Sequence, residues 1–186
     1  MKITILLIVA YLLGAIPNGI WIGKVFFNKD ITKLGSGNMG TTNTFRELGK
    51  TAGAVVMVLD ILKGTIATLL PTFFHISNVS PIVFGLFAVL GHTLSIFAKF
   101  KGGKAVATSA GMLLAIHPIL FLCAFIFEIS FTYLTSMVSV ASMISFPLIT
   151  ILILLDHDYV LGVIGIILTI FIFIKHRSNI QRIKEG

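Results

Sequence analysis

The sequence predicts an all-α, polytopic integral membrane protein with about seven transmembrane helices, an N-terminus outside and a cytoplasmic C-terminus. Composition, the length of the apolar stretches and the placement of the basic residues support this fold class. Of the 186 residues, 56% are hydrophobic and 11% are charged, with a mean hydropathy of +1.04. Soluble domains are about 25% charged, so an ordinary soluble protein is excluded. Inside a bilayer, stretches longer than the roughly ten residues of a barrel strand form helices, which pair every backbone group internally.

Basic residues are concentrated in three connecting stretches: five in residues 24–50, three in 99–104 and four in 175–184. The positive-inside rule places these stretches in the cytoplasm. Segments 74–80 and 156–158 contain no Lys or Arg and are expected to be outside turns. The net charge of +7 therefore reports orientation rather than nucleic acid binding, and it also favours anionic substrates and lipids.

The seven spans are expected at about 3–23, 51–73, 80–98, 104–117, 118–134, 138–155 and 159–175. Residues 105–134 form an apolar stretch too long for one span, and His117-Pro118 is a turn signal inside it. Two short spans there return the C-terminal basic residues to the cytoplasm, whereas one span would place them outside. We expect a single membrane domain, 1–186, whose first span is not a cleaved signal peptide.

A glycine-rich polar loop, residues 35–46, separates the first two spans. Glycines allow successive N–H groups to turn inward on an anion, and hydroxyl, amide and cationic side chains complete the cradle. The loop contains G-x-G-x-x-G, but a membrane span precedes it where a dinucleotide fold needs a strand. A plain connector would not need so many polar side chains. We predict Ser36 and Arg46 as catalytic, with these phosphate-binding residues: Gly37, Asn38, Gly40, Thr42 and Asn43.

A second glycine-containing loop, residues 99–108, precedes the fourth span. It is not a nucleotide-binding P-loop, because alanines stand where that motif needs its first glycine and its Ser or Thr. A basic interfacial anchor would explain the flanking lysines, but paired glycines at a helix start favour close approach of a ligand. We predict that this loop binds phosphate through Gly102, Gly103, Lys104 and Thr108, with Lys104 also catalytic.

Two further polar pairs have the i, i+3 spacing that places side chains on one helical face. His176 and Asn179 follow the last span, and we predict both as catalytic. Ser139 and Ser142 begin the sixth span, and we predict phosphate contacts for them, although serines at span ends more often serve packing or caps. Both pairs and both loops are expected on the cytoplasmic side.

Other polar residues lie within the apolar stretches. Asp60 and Lys63, one turn apart in the second span, can neutralise each other, so we expect a structural pair. Glu128 in the fifth span has no obvious partner. His92 and His117 are isolated histidines for which we expect packing roles.

Three segments are long enough to be compared with known families. The first is Gly35-Ser36-Gly37-Asn38-x-Gly40-x-Thr42-Asn43-x-x-Arg46. The second is Gly91-His92 followed by Lys99-Phe100-Lys101-Gly102-Gly103-Lys104-x-Val106-Ala107-Thr108, and the third is His176-Arg177-x-Asn179-Ile180-x-Arg182. Together they resemble the bacterial acyl-phosphate:glycerol-3-phosphate acyltransferase family, as does Asp60-x-x-Lys63-Gly64, over essentially the whole chain. One departure is Ser136-Met137, where the family often carries Arg-Tyr.

The resemblance implies transfer of an acyl chain from acyl phosphate to the 1-hydroxyl of sn-glycerol 3-phosphate, giving lysophosphatidic acid and inorganic phosphate. This is the first acylation of phospholipid synthesis. The residues agree, because two phosphorylated substrates need two anion sites and an activated donor needs no protein nucleophile. We expect direct transfer without an acyl-enzyme, a metal or a cofactor. The hydroxyl proton would go to the departing phosphate or, as the second choice, to His176.

The expected location is the bacterial cytoplasmic (inner) membrane, with the active site at its cytoplasmic face. Expected partners are membrane lipids and the enzyme that forms acyl phosphate, and no nucleic acid. Two other classes stay open at this point. A membrane anion or phosphosugar transporter would normally show internal repeats, and a polyprenyl phosphotransferase would need acidic magnesium ligands near its phosphate loops.

Overall fold

The computed structural model describes residues 1–185, and the regular structure of these residues is helical. The helices are α1 (Lys2–Ala15), α2 (Asn18–Phe27), α3 (Thr41–Leu48), α4 (Lys50–Phe73), α5 (Pro81–Thr93), α6 (Val106–Ile116), α7 (Pro118–Thr135), α8 (Val138–Leu155), α9 (Tyr159–Lys175) and α10 (Arg177–Lys184). Short 3₁₀ turns lie at Ile31–Lys33 and Ile96–Ala98. The chain divides into two compact units, Met1–Ile116 and His117–Gly186.

In the first unit, glycines allow helices to pack with their backbones in contact. A side chain at Gly64 or Gly111 would collide with a carbonyl oxygen across the α4–α6 contact. Gly14 and Gly91 have the same role between α1 and α5. Because membrane helices associate through close packing rather than through exclusion of water, these contacts fix the unit.

In the second unit, α7 packs on α8 and α8 packs on α9, and polar side chains pair within the apolar helices. Ser142 Oγ lies 2.7 Å from Glu128 Oε1, and the Thr150 and Thr169 hydroxyls are 3.1 Å apart. Glu128 therefore has the partner that its sequence context did not reveal.

Four segments are long and apolar enough to cross a membrane: Lys50–Phe73, Pro81–Ala98, Pro118–Thr135 and Val138–Leu155. Two bent pairs, α1 with α2 and α9 with α10, raise the number of candidate spans to as many as six. The short helix α6, at 11 residues, occupies the position of the fourth expected span. The chain is thus a multi-pass helical membrane protein, while the count of seven spans and the orientation of the termini stay predictions.

The first expected span, 3–23, consists of two helices. Its two parts, α1 and α2, meet at an angle of 47° around Ile16 and Pro17. Proline has no N–H to donate, and its ring disfavours helical geometry at the preceding residue, where Ile16 has ψ 116°. The bend leaves carbonyl groups inside an apolar stretch of the chain, and these groups need donors from other helices.

The expected break at His117 is confirmed, since α6 ends at Ile116 and α7 begins at Pro118. His117 does more than pack. Its Nδ1 accepts the N–H of Leu120 at 3.4 Å, and its Nε2 lies 3.6 Å from a carboxylate oxygen of Asp156. The histidine is thus the N-cap of α7.

Candidate functional site

The buried residue Asn43, which is 2% exposed, stabilises the first polar loop. Its amide nitrogen donates to the carbonyl oxygens of Ile31, Leu34 and Asn38 at 3.0–3.1 Å. Its side-chain oxygen accepts the N–H of Ser36 at 3.0 Å. One buried amide therefore fixes both arms of the loop, and Asn43 supports the loop rather than facing its outer surface.

Backbone N–H groups of this loop bond within the loop. Gly37 N–H donates to Leu34 O at 2.9 Å, and Gly40 N–H donates to the Asn38 side-chain oxygen at 2.9 Å. Asn38 N–H lies 3.4 Å from Ser36 Oγ. This corrects the expected inward-facing anion cradle of N–H groups at Gly37 and Gly40. Gly37 is required for a different reason, because its φ of +69° is a turn conformation that side-chain-bearing residues rarely adopt.

Three exposed polar side chains lie on the outer surface of the first loop and on α3: Ser36, Thr42 and Arg46. Thr42 and Arg46 are four residues apart on α3, so they share one face of that helix. This face combines a hydroxyl with a permanent positive charge. It is the part of the loop that can contact a phosphate group.

The second loop is docked on the end of α5 through its two glycines. Gly102 N–H donates to Thr93 O at 3.1 Å, and Gly103 N–H donates to His92 O at 3.0 Å. A side chain at Gly102 would collide with the His92 carbonyl, and one at Gly103 with the His92 ring. The expectation that these N–H groups face an anion is therefore wrong, since they already bond to carbonyls. The glycines permit close approach to α5 rather than to a ligand.

Lys104 follows this docked pair and is half-buried. The next residue, Ala105, has φ +61° and accepts the N–H of Ser109 at 2.8 Å, which starts α6. The first-turn N–H groups of α6 then have no acceptors within the helix, as at any helix start. One turn after Lys104, the buried Thr108 hydroxyl has no hydrogen-bond partner among the described residues.

A buried polar cluster lies at the α1–α2 bend. Lys63 Nζ donates to the Ile16 carbonyl at 2.8 Å and pairs with Asp60 Oδ1 at 2.9 Å. Asn18 Nδ2 donates to the same carboxylate oxygen at 2.9 Å, and His92 Nδ1 lies 3.9 Å from it. The expected Asp60–Lys63 pair is confirmed, but it has more partners than a self-neutralising pair needs.

Sequence reasoning missed two members of this region, Asn18 and Ser95. The buried Ser95 hydroxyl donates to the Ala15 carbonyl, the other carbonyl next to the bend. The available signal was Pro17, because a proline inside a span implies carbonyls that other helices must pair.

In the second unit, His176 lies at the bend of 53° between α9 and α10 and is 3% exposed. Its Nδ1 lies 2.8 Å from the Ile172 carbonyl. A carbonyl only accepts, so Nδ1 carries the proton and a neutral ring has its lone pair on Nε2. Asn179 N–H donates to His176 O at 2.8 Å, which confirms the expected helical turn that joins these two residues.

The two serines of α8 differ. Ser139 is half-buried in the first turn of the helix. Ser142 is buried, with its hydroxyl 2.7 Å from Glu128 Oε1 and 2.9 Å from Val138 O. The Ser142 hydroxyl is thus engaged by Glu128 and Val138, and the phosphate contact expected for Ser142 stays a prediction. Within residues 1–185, no group of three or more His, Cys, Asp or Glu side chains is arranged to hold a metal ion.

Comparison with known sequences shows similarity along the whole chain. A family model described as glycerol-3-phosphate acyltransferase matches residues 4–186. The glycerol-3-phosphate acyltransferase of Levilactobacillus brevis is 63% identical over 190 residues, covering 100% of this chain and 92% of that protein. The one from Enterococcus faecalis is 60% identical over 196 residues, covering 100% and 90%.

Two solved structures are similar in fold. Both are crystal structures of PlsY (YgiH), an integral membrane glycerol 3-phosphate acyltransferase. Its glycerol 3-phosphate form aligns with a TM-score of 0.90 and 36% identity, covering 100% of this chain and 94% of that one. Its lysophosphatidic acid form aligns with a TM-score of 0.86 and 35% identity, covering 100% and 93%.

Proposed function

The chain belongs to the glycerol-3-phosphate acyltransferase family, and we propose that it takes its acyl chain from acyl phosphate. The 1-hydroxyl oxygen of glycerol 3-phosphate attacks the acyl carbonyl carbon, a new ester C–O bond forms, and the bond from the acyl carbon to the phosphate oxygen breaks. The products are lysophosphatidic acid and inorganic phosphate. The observation that carries this proposal is the pair of polar loops in the first unit, with the exposed Arg46 on one and Lys104 on the other.

Two phosphorylated substrates need two cationic sites, and the first loop supplies one. Ser36, Thr42 and Arg46 are its exposed donors, and we assign them to a phosphate group because a guanidinium with a nearby hydroxyl matches phosphate oxygens. Asn38, Asn43 and the glycines hold these donors in place instead of binding the phosphate themselves.

The second loop supplies the other cation. We assign Lys104 to the second phosphate, where its ammonium would compensate charge that develops on the departing group. Thr108 lies one turn further along the same segment, and its buried hydroxyl would donate to the same ligand. Gly102 and Gly103 fix the position of Lys104 through α5.

We propose that His176 and Asn179, which lie in the second unit, are catalytic residues. With its proton on Nδ1, the His176 ring would accept a hydrogen bond from the attacking hydroxyl through Nε2. The departing phosphate remains the first choice of proton acceptor and His176 the second. Ser139 would add a phosphate contact. The reaction needs no protein nucleophile, since acyl phosphate is an activated anhydride.

We place the protein in the bacterial cytoplasmic membrane with both loops at the cytoplasmic face, on the distribution of basic residues. The partners that follow are membrane lipids and the enzyme that forms acyl phosphate. The test is an assay with purified protein, radiolabelled glycerol 3-phosphate and either acyl phosphate or acyl-coenzyme A. Labelled lysophosphatidic acid is expected when acyl phosphate is the donor and not when acyl-coenzyme A is. Equal product from acyl-coenzyme A would contradict the proposed donor.

A further inference from the structure

The carboxylate of Asp60 lies between residues that support both polar loops. It is 2% exposed in the middle of α4 and receives the Asn18 amide at 2.9 Å on one of its oxygens. The same oxygen lies 3.9 Å from Nδ1 of the buried His92. Lys63 balances the negative charge at 2.9 Å. Asn18 and His92 stand in different helices, and each is adjacent to a contact made with one of the loops.

Asn18 is next to a residue that contacts the first loop. It begins α2, and the next residue, Gly19, packs so closely on the Met39 carbonyl that a side chain there would collide with it. Met39 is 3% exposed and immediately precedes Gly40, the N-cap of α3. The start of α2 therefore supports the end of the loop from which α3, with Thr42 and Arg46, begins.

His92 contacts the second loop directly. Its carbonyl accepts the N–H of Gly103, and its ring fills the space beside the Gly103 α-carbon. Lys104 is the next residue. A displacement of the His92 ring would therefore move Gly103 and change the backbone position from which the Lys104 side chain extends.

We propose that Asp60 is a positioning residue that sets the distance between the two phosphate-binding loops, acting through Asn18 on one and through His92 on the other. This rests on the proposed function of the loops. Lys63 contributes by neutralising the carboxylate and by donating to the Ile16 carbonyl, which fixes the α1–α2 bend. The two reacting groups must meet at near-contact distance, so the separation of the loops affects catalysis directly.

The test is the double variant Asp60→Leu/Lys63→Met, which replaces the ion pair with apolar side chains of similar size. Apolar replacement of a buried ion pair is often neutral for stability, but this change also removes the Lys63 bond to the Ile16 carbonyl and the acceptor of the Asn18 amide. A lowered thermal unfolding midpoint is therefore expected, and kcat is measured well below it. Each loop keeps its own phosphate contacts. We expect kcat to fall by roughly 10- to 100-fold while KM for either substrate changes by less than about threefold.

A second measurement is independent of activity. Spin labels at Lys33→Cys, just before the first loop, and at Lys101→Cys, within the second loop, report the separation of the loops in a Cys123→Ser background. Both positions are exposed. The double variant should broaden or shift this distance distribution. An unchanged distribution together with an unchanged kcat would overturn the positioning role. Failure of the parent protein to use acyl phosphate would overturn the proposed donor and leave the distance measurement valid.

If the double variant does not fold, two single variants test the action of Asp60 through Asn18 and its action through His92 separately. Asn18→Leu and His92→Phe keep the approximate side-chain volume and remove the polar groups near Asp60. Each should lower kcat and broaden the label distances. The matched control is Thr65→Val in the same helix, which removes a 2.9 Å hydrogen bond to Gly111 O and touches neither loop. If Thr65→Val lowered kcat as much as Asn18→Leu and His92→Phe do, the effect would be general destabilisation and the proposal would be wrong.

Discussion

The Asn43 side-chain oxygen accepts the Ser36 N–H at 3.0 Å, and the Asn43 nitrogen contacts three carbonyl oxygens of the same loop. A single buried amide thus acts as donor and acceptor for a loop that has no regular structure of its own at residues 35–40. The position of the Ser36 hydroxyl, which we assign to substrate, depends on a residue that substrate does not have to touch.

Asn43→Asp should therefore abolish activity even though it preserves shape. The substituted side chain keeps the acceptor for Ser36 but loses the donors to the carbonyls of Ile31, Leu34 and Asn38. The Ile31 and Leu34 carbonyls keep backbone donors, but the new carboxylate faces three carbonyl oxygens with no hydrogen to donate. A buried polar group left without its hydrogen bonds costs about 1–3 kcal/mol, so the loop should unfold locally. Activity and limited proteolysis within residues 29–40 are the measurements. The control is Asn78→Asp, the same chemical change at an exposed turn residue, and equal loss there would contradict the explanation.

Arg46→Ala and Lys104→Ala should each abolish most activity while the protein still folds. Loss of a charge-assisted phosphate contact in a partly desolvated site costs about 2–4 kcal/mol, or roughly 30- to 1,000-fold in rate. Lys99→Ala is the matched control, because Lys99 is exposed at the 3₁₀ turn before the glycines. Rates and unfolding midpoints decide the outcome, and a Lys99 variant as impaired as the Lys104 variant would show that the second loop is assigned incorrectly.

The direct-transfer mechanism predicts no acyl-enzyme. Acyl phosphate added alone should give neither labelled protein nor a stoichiometric burst of phosphate, because the attacking hydroxyl belongs to the second substrate. The rate should also persist in excess chelator. A hydroxylamine-sensitive acyl label on Ser36 would contradict direct transfer. Inactivation by EDTA that magnesium reverses would contradict the metal-free reaction.

Cysteines placed at Lys33, Lys101 and Lys184 should all react from the cytoplasmic side, and one at Asn78 from the outside. These positions are exposed, and a Cys123→Ser background removes the native thiol. A membrane-impermeant maleimide on sealed vesicles of both orientations makes the measurement. Labelling of Lys101 and Lys184 from opposite sides would exclude the seven-span topology.

The sequence predicted most elements that depend on local chemistry. The break at His117-Pro118, the turn joining His176 to Asn179 and the Asp60–Lys63 pair are short-range features, and the structure confirms them. The bend at Pro17 was missed because apolar residues continue on both sides of it, so the hydropathy of the segment is that of one unbroken span. The side chains that donate to the carbonyls at the bend, Lys63 and Ser95, are distant from it in sequence.

The role of the glycines could not be predicted for a different reason. A glycine that offers its N–H to a ligand and one that allows close packing look the same in a sequence. Only the position of α5 shows that Gly102 and Gly103 bond to Thr93 and His92. That the two compact units together form a single domain, 1–186, stays a prediction.

The contact between Lys63 and Ile16 also bears on how the protein is made. A ribosome delivers α1 to the membrane well before α4, and until Lys63 arrives the Ile16 carbonyl lacks this partner in the bilayer. Without Lys63 the Ile16 carbonyl keeps only the N–H of Asn18, at 3.1 Å, and the Lys63 ammonium is itself costly to insert alone. The Lys63 ammonium of α4 thus supplies a donor to the carbonyl that follows α1, and this carbonyl supplies an acceptor to the ammonium. Biogenesis should therefore bring α1 and α4 into the lipid as one cooperative unit, with the first segment held at the translocon or the interface until the later one is synthesised.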